Sequence, residues 1–423
     1  MPIRTQHLWL TLSLSIHALS CFLPPALQAE DWTRFRGPNG SGVSTTVFPA
    51  TWSENEIRFS VPLPGIGHSS PVVRGDKLFV QSANAETAHQ HVICLNSRTG
   101  EKNWQRDFEL TPYHIHTRNS FASVTPAVDE HHVYVAWSTP DQTTITALDH
   151  NGNPVWHRDI GSFASQHGFG TSPIVYKDLV IICHQQKKPD RNGPRTETSS
   201  IQAFDRMTGE TRWNTKRWSE SVSYSVPCIL ERPDHLDELI CCSTADGIFS
   251  LDPQNGKENW KNEVFKMRTV SSPQLSNGLI FGSTGSGGGG NYVVALRGGK
   301  DSEVAYRVEK QAPYVPTPVF KNDLGFLWYD KGIVTCIDAM SGTKHWQKRI
   351  GGNFSGSPVI AGDKVYCIAE NGEVYVIAVS KEYQLLGKTA LGEDSRSTPA
   401  IANGRMYFRT ESKLICIGTD GDV

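Results

Sequence analysis

The run Ala203-Phe204-Asp205-Arg206-Met207-Thr208-Gly209-Glu210-Thr211-Arg212-Trp213 recurs along the chain in recognisable copies. Near copies run Cys94-Leu95-Asn96 to Gly100 to Trp104, Ala147-Leu148-Asp149 to Gly152 to Trp156, Ser250-Leu251-Asp252 to Gly256 to Trp260, and Cys336-Ile337-Asp338 to Gly342 to Trp346. The spacing has a physical logic. Asp or Asn accepts hydrogen bonds from the turn backbone just after it, and Gly takes the left-handed position that closes the turn. The small residue before the Asp makes room, and the Trp on the following strand is free to fill a wedge between neighbouring units. Trp104, Trp156, Trp213, Trp260 and Trp346 are therefore read as docking residues between repeats. Two copies are degenerate: Arg297-Gly298 with Tyr306 replaces the Asp and Trp of one, and Val376-Ile377-Ala378 has lost both.

Outward from these turns lies a second recurring element, a small or Ser/Thr-rich step, a proline and a short apolar run. Its prolines are Pro71, Pro126, Pro173, Pro227, Pro273, Pro318, Pro358 and Pro399. They stand 55, 47, 54, 46, 45, 40 and 41 residues apart, a period suited to propeller blades. Each proline opens a strand, a turn, a second strand, a polar turn and a third strand, as in Val72-Val73, Gly75-Asp76, Leu78-Phe79-Val80. Helical periodicity is nearly absent, and alternation with β-branched and aromatic residues dominates. The last repeat, Ser397 to Ile417, has three strands, and Ile57 to Leu63 matches the missing outer one. The expectation is an all-β chain: an eight-bladed β-propeller of four-stranded antiparallel blades, closed by its N-terminal strand.

Composition agrees. A length of 423 residues suits two or three domains of about 150 residues each, but one repeating ring absorbs it. Lys plus Arg (41) nearly balances Asp plus Glu (43), which removes global attraction to nucleic acid or acidic lipid. Residues 1–29 read as a signal peptide: Arg4, an apolar run from Leu8 to Leu23, then Leu27-Gln28-Ala29 before a cut at Glu30. Residues 30–56 form an N-terminal extension and 57–423 the propeller. Export to the periplasm or medium follows, with a lipid anchor at Cys21 as a secondary expectation and no transmembrane span. Eight cysteines lie beyond the leader without a metal-binding spacing. Cys94, Cys336 and Cys416 occupy one equivalent strand position and read as small buried hydrophobes. If Cys228-Ile229-Leu230 and Leu239-Ile240-Cys241 pair around Pro233-Asp234, Cys228 faces Cys241 and a cross-strand disulfide is open to it.

The loops entering the inner strands line one mouth of the channel. Three residues before each proline stand His68, Ser123, Gly170, Tyr224, Val270, Val315, Ser355 and Arg396. The preceding loops add His114, His116, Arg118 and Asn119, then Gln166 and His167, then Arg268, Tyr314, Asn353 and Asp394. The candidate ligand-binding mouth is His68, His116, Arg118, Asn119, His167, Tyr224, Arg268 and Arg396, a set suited to an anionic or carbonyl-rich ligand. The four histidines His68, His114, His116 and His167 come from three different blades, so no metal site is assigned. Gly285 to Gly290 matches a dinucleotide fingerprint in letters only, because it joins two strands with no helix to receive a pyrophosphate. No nucleophile elbow, zinc-protease or EF-hand pattern is present, and no catalytic residue is assigned.

The eleven-residue repeat resembles the tryptophan-docking repeat of pyrroloquinoline quinone (PQQ) propellers over nearly all of residues 57–417. Asp31-Trp32-Thr33-Arg34-Phe35-Arg36-Gly37-Pro38-Asn39-Gly40-Ser41-Gly42-Val43 looks like the opening of secreted PQQ-like propellers of planctomycete-type bacteria, as do His116 to Pro126 and His167 to Pro173. The resemblance implies one of two branches. PQQ-dependent dehydrogenases use a calcium held by Glu and Asn, a catalytic Asp and often a vicinal disulfide. Cys241-Cys242 is here in an apparent strand, where alternation points the two sulfurs apart. BamB-like exported propellers are non-catalytic and bind proteins. Compact repeats and the absence of an assignable catalytic set favour a monomeric scaffold for a protein partner of the cell envelope or a small polar ligand, with no cofactor. The alternative is a PQQ-dependent dehydrogenase, with PQQ and calcium, or another small-molecule enzyme acting at the channel mouth.

Overall fold

The computed structural model describes Met1 and residues 30–139, 141–187, 198–219, 221–233 and 235–418. The leader expectation, including Cys21, lies outside them. Eight sheets form, and blade one shows the pattern with Val72–Arg74, Lys77–Ala83, Gln90–Asn96 and Lys102–Phe108 in antiparallel order. Every inner strand begins at or just after one of the eight prolines. There the missing N–H is not needed, because the pairing begins one residue later. Blade eight takes Ala400–Ala402, Arg405–Arg409 and Lys413–Gly418 from the C-terminal repeat and Ile57–Pro62 from the N-terminal region, so the ring is closed by main-chain pairing.

The docking residue occupies one register position in every blade. Trp104 lies opposite Cys94, Trp156 opposite Ala147, Trp213 opposite Ala203, Trp260 opposite Ser250, Tyr306 opposite Ala295 and Trp346 opposite Cys336. Each of these rings reaches across to the next blade. The indole N–H of Trp104 donates to the His150 carbonyl, that of Trp156 to Arg206, that of Trp213 to Pro253 and that of Trp346 to Ser380. Tyr306 donates to Ala339 in the same way, whereas Trp260 donates to the Glu238 carboxylate. The turn glycines are held by this packing: a Cβ on Gly256 (φ +73°) would sit 2.5 Å from Trp213. In blade eight, Phe59 opposite Cys416 packs on Gly100. In blade seven the position is Gly387, opposite Val376, and residues 50–51 lie where its side chain would project. Trp52, brought in by the same segment, stacks on Phe408 with ring centroids 5.0 Å apart.

Residues 30–44 cross the channel at the end away from the mouth. Trp32 exchanges two main-chain hydrogen bonds with Val73, Val128 donates to Thr33, the Asn39 side-chain amide donates to the Ile229 carbonyl and accepts from its N–H, and Val43–Ser44 pairs parallel to Val359–Ala361 as a fifth strand of blade seven. Arg36 is fully buried among backbone carbonyls, with Nη1 on Pro358 (2.6 Å) and Thr317 (3.4 Å), Nη2 on Pro318 (3.0 Å) and Ser41 (3.2 Å), and Nε on Gly40 (3.2 Å). Arg34 donates to Pro227 at 2.6 Å. Burial lowers the two guanidinium groups to about 9 and about 10, which leaves both cationic at neutrality.

One sequence expectation is corrected. Cys228 pairs with Ile240, one residue from the expected register, so Cys241 faces the opposite side of the sheet. Cys228 and Cys242 join the apolar cluster toward blade five, whereas Cys241 packs in the cluster with Cys183. All described cysteines are free and buried, the vicinal pair included.

Candidate functional site

The eight steps before the prolines build a well at the mouth. Its cavity is about 540 Å³ and is lined by two rings of residues. The upper ring is the residues three before each proline, and the lower ring is the residues immediately before it: Ser70, Thr125, Ser172, Val226, Ser272, Thr317, Ser357 and Thr398. The lower ring explains the Ser/Thr preference. The N–H of each step residue donates to the hydroxyl of the next blade: Ser70 to Thr125, Thr125 to Ser172, Val226 to Ser272, Ser272 to Thr317, Thr317 to Ser357, Ser357 to Thr398 and Thr398 to Ser70. Only the link from Ser172 to blade four has no hydroxyl to receive it, because Val226 stands there. Phe35 of the crossing segment forms the floor, so the channel is a blind well.

All eight mouth residues expected from the sequence line this cavity: His68, His116, Arg118, Asn119, His167, Tyr224, Arg268 and Arg396. Gln166 and Tyr314 join them, His114 lines a neighbouring groove, and Asn353 and Asp394 line neither. The loops of blades two and three are locked together. Asn119 donates to the His167 and Phe169 carbonyls (2.7 and 3.2 Å) and accepts from Ser123. Gly168 (φ +89°) permits this approach, since a Cβ there would lie 2.8 Å from both Asn119 and Ile115. Tyr224 donates to Gly168 at 3.1 Å, and burial raises its phenol above the usual range.

The electrostatics are one-sided. Arg268 donates to His167 Nε2 at 2.6 Å, and Gln166 donates to the same atom at 2.9 Å. The lone pair of that imidazole is therefore occupied as an acceptor. Burial, then Arg268, His116 and Arg118, lower His167 to about 4. Burial, then Arg396 and Arg409, lower His68 to about 3. Both are neutral at pH 7 because further positive charge is unwelcome there. Among the described residues no Asp or Glu lines the well. The nearest carboxylates are engaged sideways: Asp330 accepts from the Tyr314 and Val315 N–H groups, and Glu370 accepts from Ser355 and lies 3.8 Å from Arg396. The Nε atoms of Arg268 and Arg396 are buried without a hydrogen-bond partner.

These donors are the wrong ones for a calcium beside a quinone. Calcium takes carboxylate and carbonyl oxygens, whereas this lining offers chiefly guanidinium, imidazole and hydroxyl groups, with the amides of Asn119, whose oxygen accepts from Ser123, and Gln166. Among the described residues no group of three or more His, Cys, Asp or Glu side chains is placed to hold a metal ion. The vicinal cysteines lie within a blade-four strand, away from the well lining. Phe35, the hydroxyl ring and the orphaned Nε atoms were not foreseen from the sequence. The Ser/Thr before seven of the eight prolines was the one available signal, and it was read as spacing rather than as a hydrogen-bonded belt.

Comparison with known proteins places the fold. A tetrathionate hydrolase from Acidithiobacillus ferrooxidans is 20% identical over 201 residues, 45% of this chain, and the match spans only 36% of that protein. A europium-containing methanol dehydrogenase superposes with a TM-score of 0.67 at 14% identity, covering 90% of each chain. BamB from Moraxella catarrhalis gives 0.60 at 14% identity over 85% of this chain and 98% of the other. The quinohemoprotein alcohol dehydrogenase of Comamonas testosteroni gives 0.66 at 13% over 93% and 81%. At these identities the likeness is one of fold, shared by scaffold and enzyme alike. The family model described as outer membrane protein assembly factor BamB matches residues 88–311, 307–384 and 330–422. With its repeats, its closure and its docking residues accounted for, the chain belongs to the BamB family of PQQ-repeat β-propellers.

Proposed function

We propose that this protein is an exported, non-catalytic binding propeller whose mouth well holds an anionic group, carried by a small molecule or by a partner in the cell envelope. One observation carries the reading: Arg118, Arg268 and Arg396 converge on a well in whose lining, among the described residues, no carboxylate stands. Arg118 and Arg268 form no ion pair among the described residues, and Arg396 reaches Glu370 only at 3.8 Å. Guanidinium groups with donors to spare at a cavity attract a carboxylate, sulfate or phosphate through charge-assisted hydrogen bonds. The neutral His68 and His167 serve as polar walls and not as a general base, since their low values leave them little basicity.

The test is calorimetric titration of the purified protein with sulfate, citrate and tetrathionate at low ionic strength. Tetrathionate belongs there because the matched hydrolase is named for it. Saturable binding that weakens when Arg118, Arg268 and Arg396 are together replaced by Gln supports the reading, and absence of any binding overturns it. Addition of PQQ and calcium with alcohols and a redox dye is the opposing arm, where turnover would make this a dehydrogenase. Export is checked by the mass of the mature protein, expected to begin at Glu30 in the periplasmic or secreted fraction.

A further inference from the structure

Beside the well lies a second cavity of about 320 Å³, on the same mouth face and lined chiefly by Ile66, Ala83, Tyr113, Ile115 and Phe121. Most of these apolar side chains are only partly covered, and Tyr113 and Phe121 meet edge-to-face with centroids 5.4 Å apart. The two cavities share a wall. Asn119 borders both, and the loop sends His116 and Arg118 to the well while Tyr113, Ile115 and Phe121 line the groove. Asn119 itself has no donor to spare, because both its amide hydrogens are used on His167 and Phe169 and its oxygen accepts from Ser123. It is a fixed partition rather than a recognition group. The groove's one titratable side chain besides Tyr113 is His114.

We propose that the ligand of this protein is an organic anion bearing an apolar, aryl-sized appendage, with its charged head among the mouth arginines and its appendage in the adjoining groove. This rests on the anion-binding reading above and narrows it. A cationic well alone would take any inorganic anion. An apolar groove that shares its wall adds affinity only for ligands that join the two chemistries, since burial of apolar surface is favourable and the groove offers little to a polar group. The walls are preformed: Gly65 (φ +67°) allows Ile66 to exchange two main-chain hydrogen bonds with Ala83, and Gly168 locks Ile115 against blade three.

The experiment titrates the full chain with acetate, phenylacetate, phenylbutyrate and phenylhexanoate, which share one carboxylate and differ in reach. The best phenylalkanoate is expected to bind roughly tenfold or more tighter than acetate, as burial of even part of a phenyl group allows. Ala85→Trp, at an exposed position on the groove rim, is expected to remove that gain and leave acetate and sulfate unchanged. Phe121→Ala is the second variant and should reduce the gain by shrinking the wall. Equal affinity for acetate and every phenylalkanoate would overturn this inference and leave the anion reading standing. Failure of sulfate and all carboxylates to bind would overturn the reading beneath it. A gain that survives both variants would place the appendage elsewhere and also overturn the inference.

Discussion

Arg36 at the floor of the channel and Arg268 at its mouth are built by opposite rules. At the floor, Arg36 is fully buried, and its three nitrogens donate to five backbone carbonyls drawn from its own loop and blades six and seven. At the mouth, Arg268 donates to His167 and Tyr314 and keeps a buried Nε without a partner, while Arg118 is exposed. The contrast separates structure from function. A cation whose donors are all used holds the ring together. A cation with donors left over at a cavity is available to something else.

The largest effect should come from breaking the floor. Arg36→Met strands five carbonyls in a dry site, and it is expected to lower unfolding stability by about 3 to 5 kcal/mol, read by denaturant titration. Next comes the mouth. Arg268→Gln should weaken anion binding roughly 10- to 100-fold, the worth of a charge-assisted hydrogen bond, while unfolding stability stays within about 1 kcal/mol. If both variants moved stability equally and left binding alone, the distinction would be lost.

pH separates the two ends further. Burial and neighbouring arginines lower His167 from 6.5 to about 4 and His68 to about 3 in the folded protein. The unfolded chain therefore binds more protons between these values and 6.5, so stability is whole above pH 6.5 and falls as the pH drops through that window. A bound anion has the opposite preference and favours the imidazolium facing Arg268, His116 and Arg118. Anion affinity should thus rise over the same acid range in which the free protein loses stability. The check is titration at pH 7 and pH 5, with His167→Asn expected to flatten the affinity change. The smallest effect concerns the hydroxyl belt. Thr317→Val removes the acceptor of the Ser272 N–H and should cost about 1 to 2 kcal/mol, whereas Val226→Thr gives Ser172 a partner and should gain about 0.5 kcal/mol.

The ring was legible because its signals repeat. Eight prolines, the Asp-to-Gly turns and the docking Trp each recur in register, and the degenerate copies at Arg297-Gly298 with Tyr306 and at Val376-Ile377-Ala378 stand out against them. The lining was legible in part for the same reason: His68, Tyr224 and Arg396 sit at a constant offset from the prolines, whereas His116, Arg118, Asn119, His167 and Arg268 were read from the polar loops before them. What escaped had no period. Residues 31–43 carry no alternation, and Arg36 finds carbonyls 281 to 322 residues away, which no local pattern encodes. Gly387 reads as a lost docking residue until residues 50–52 are seen filling the wedge beside it. The cysteine register failed by one residue, because the connection between Leu230 and Glu238 is longer than a tight hairpin and its geometry, not its composition, sets the pairing.

The most direct test is hydrogen exchange of the intact protein with and without saturating sulfate at low ionic strength. The expected result is added protection in the mouth loops, residues 113–121, 165–170 and 266–270, with no local change at residues 32–44, where Arg36 already spends its donors on five backbone carbonyls. Protection confined to the floor, or none anywhere at saturating sulfate, would contradict the assignment of the mouth as the binding end.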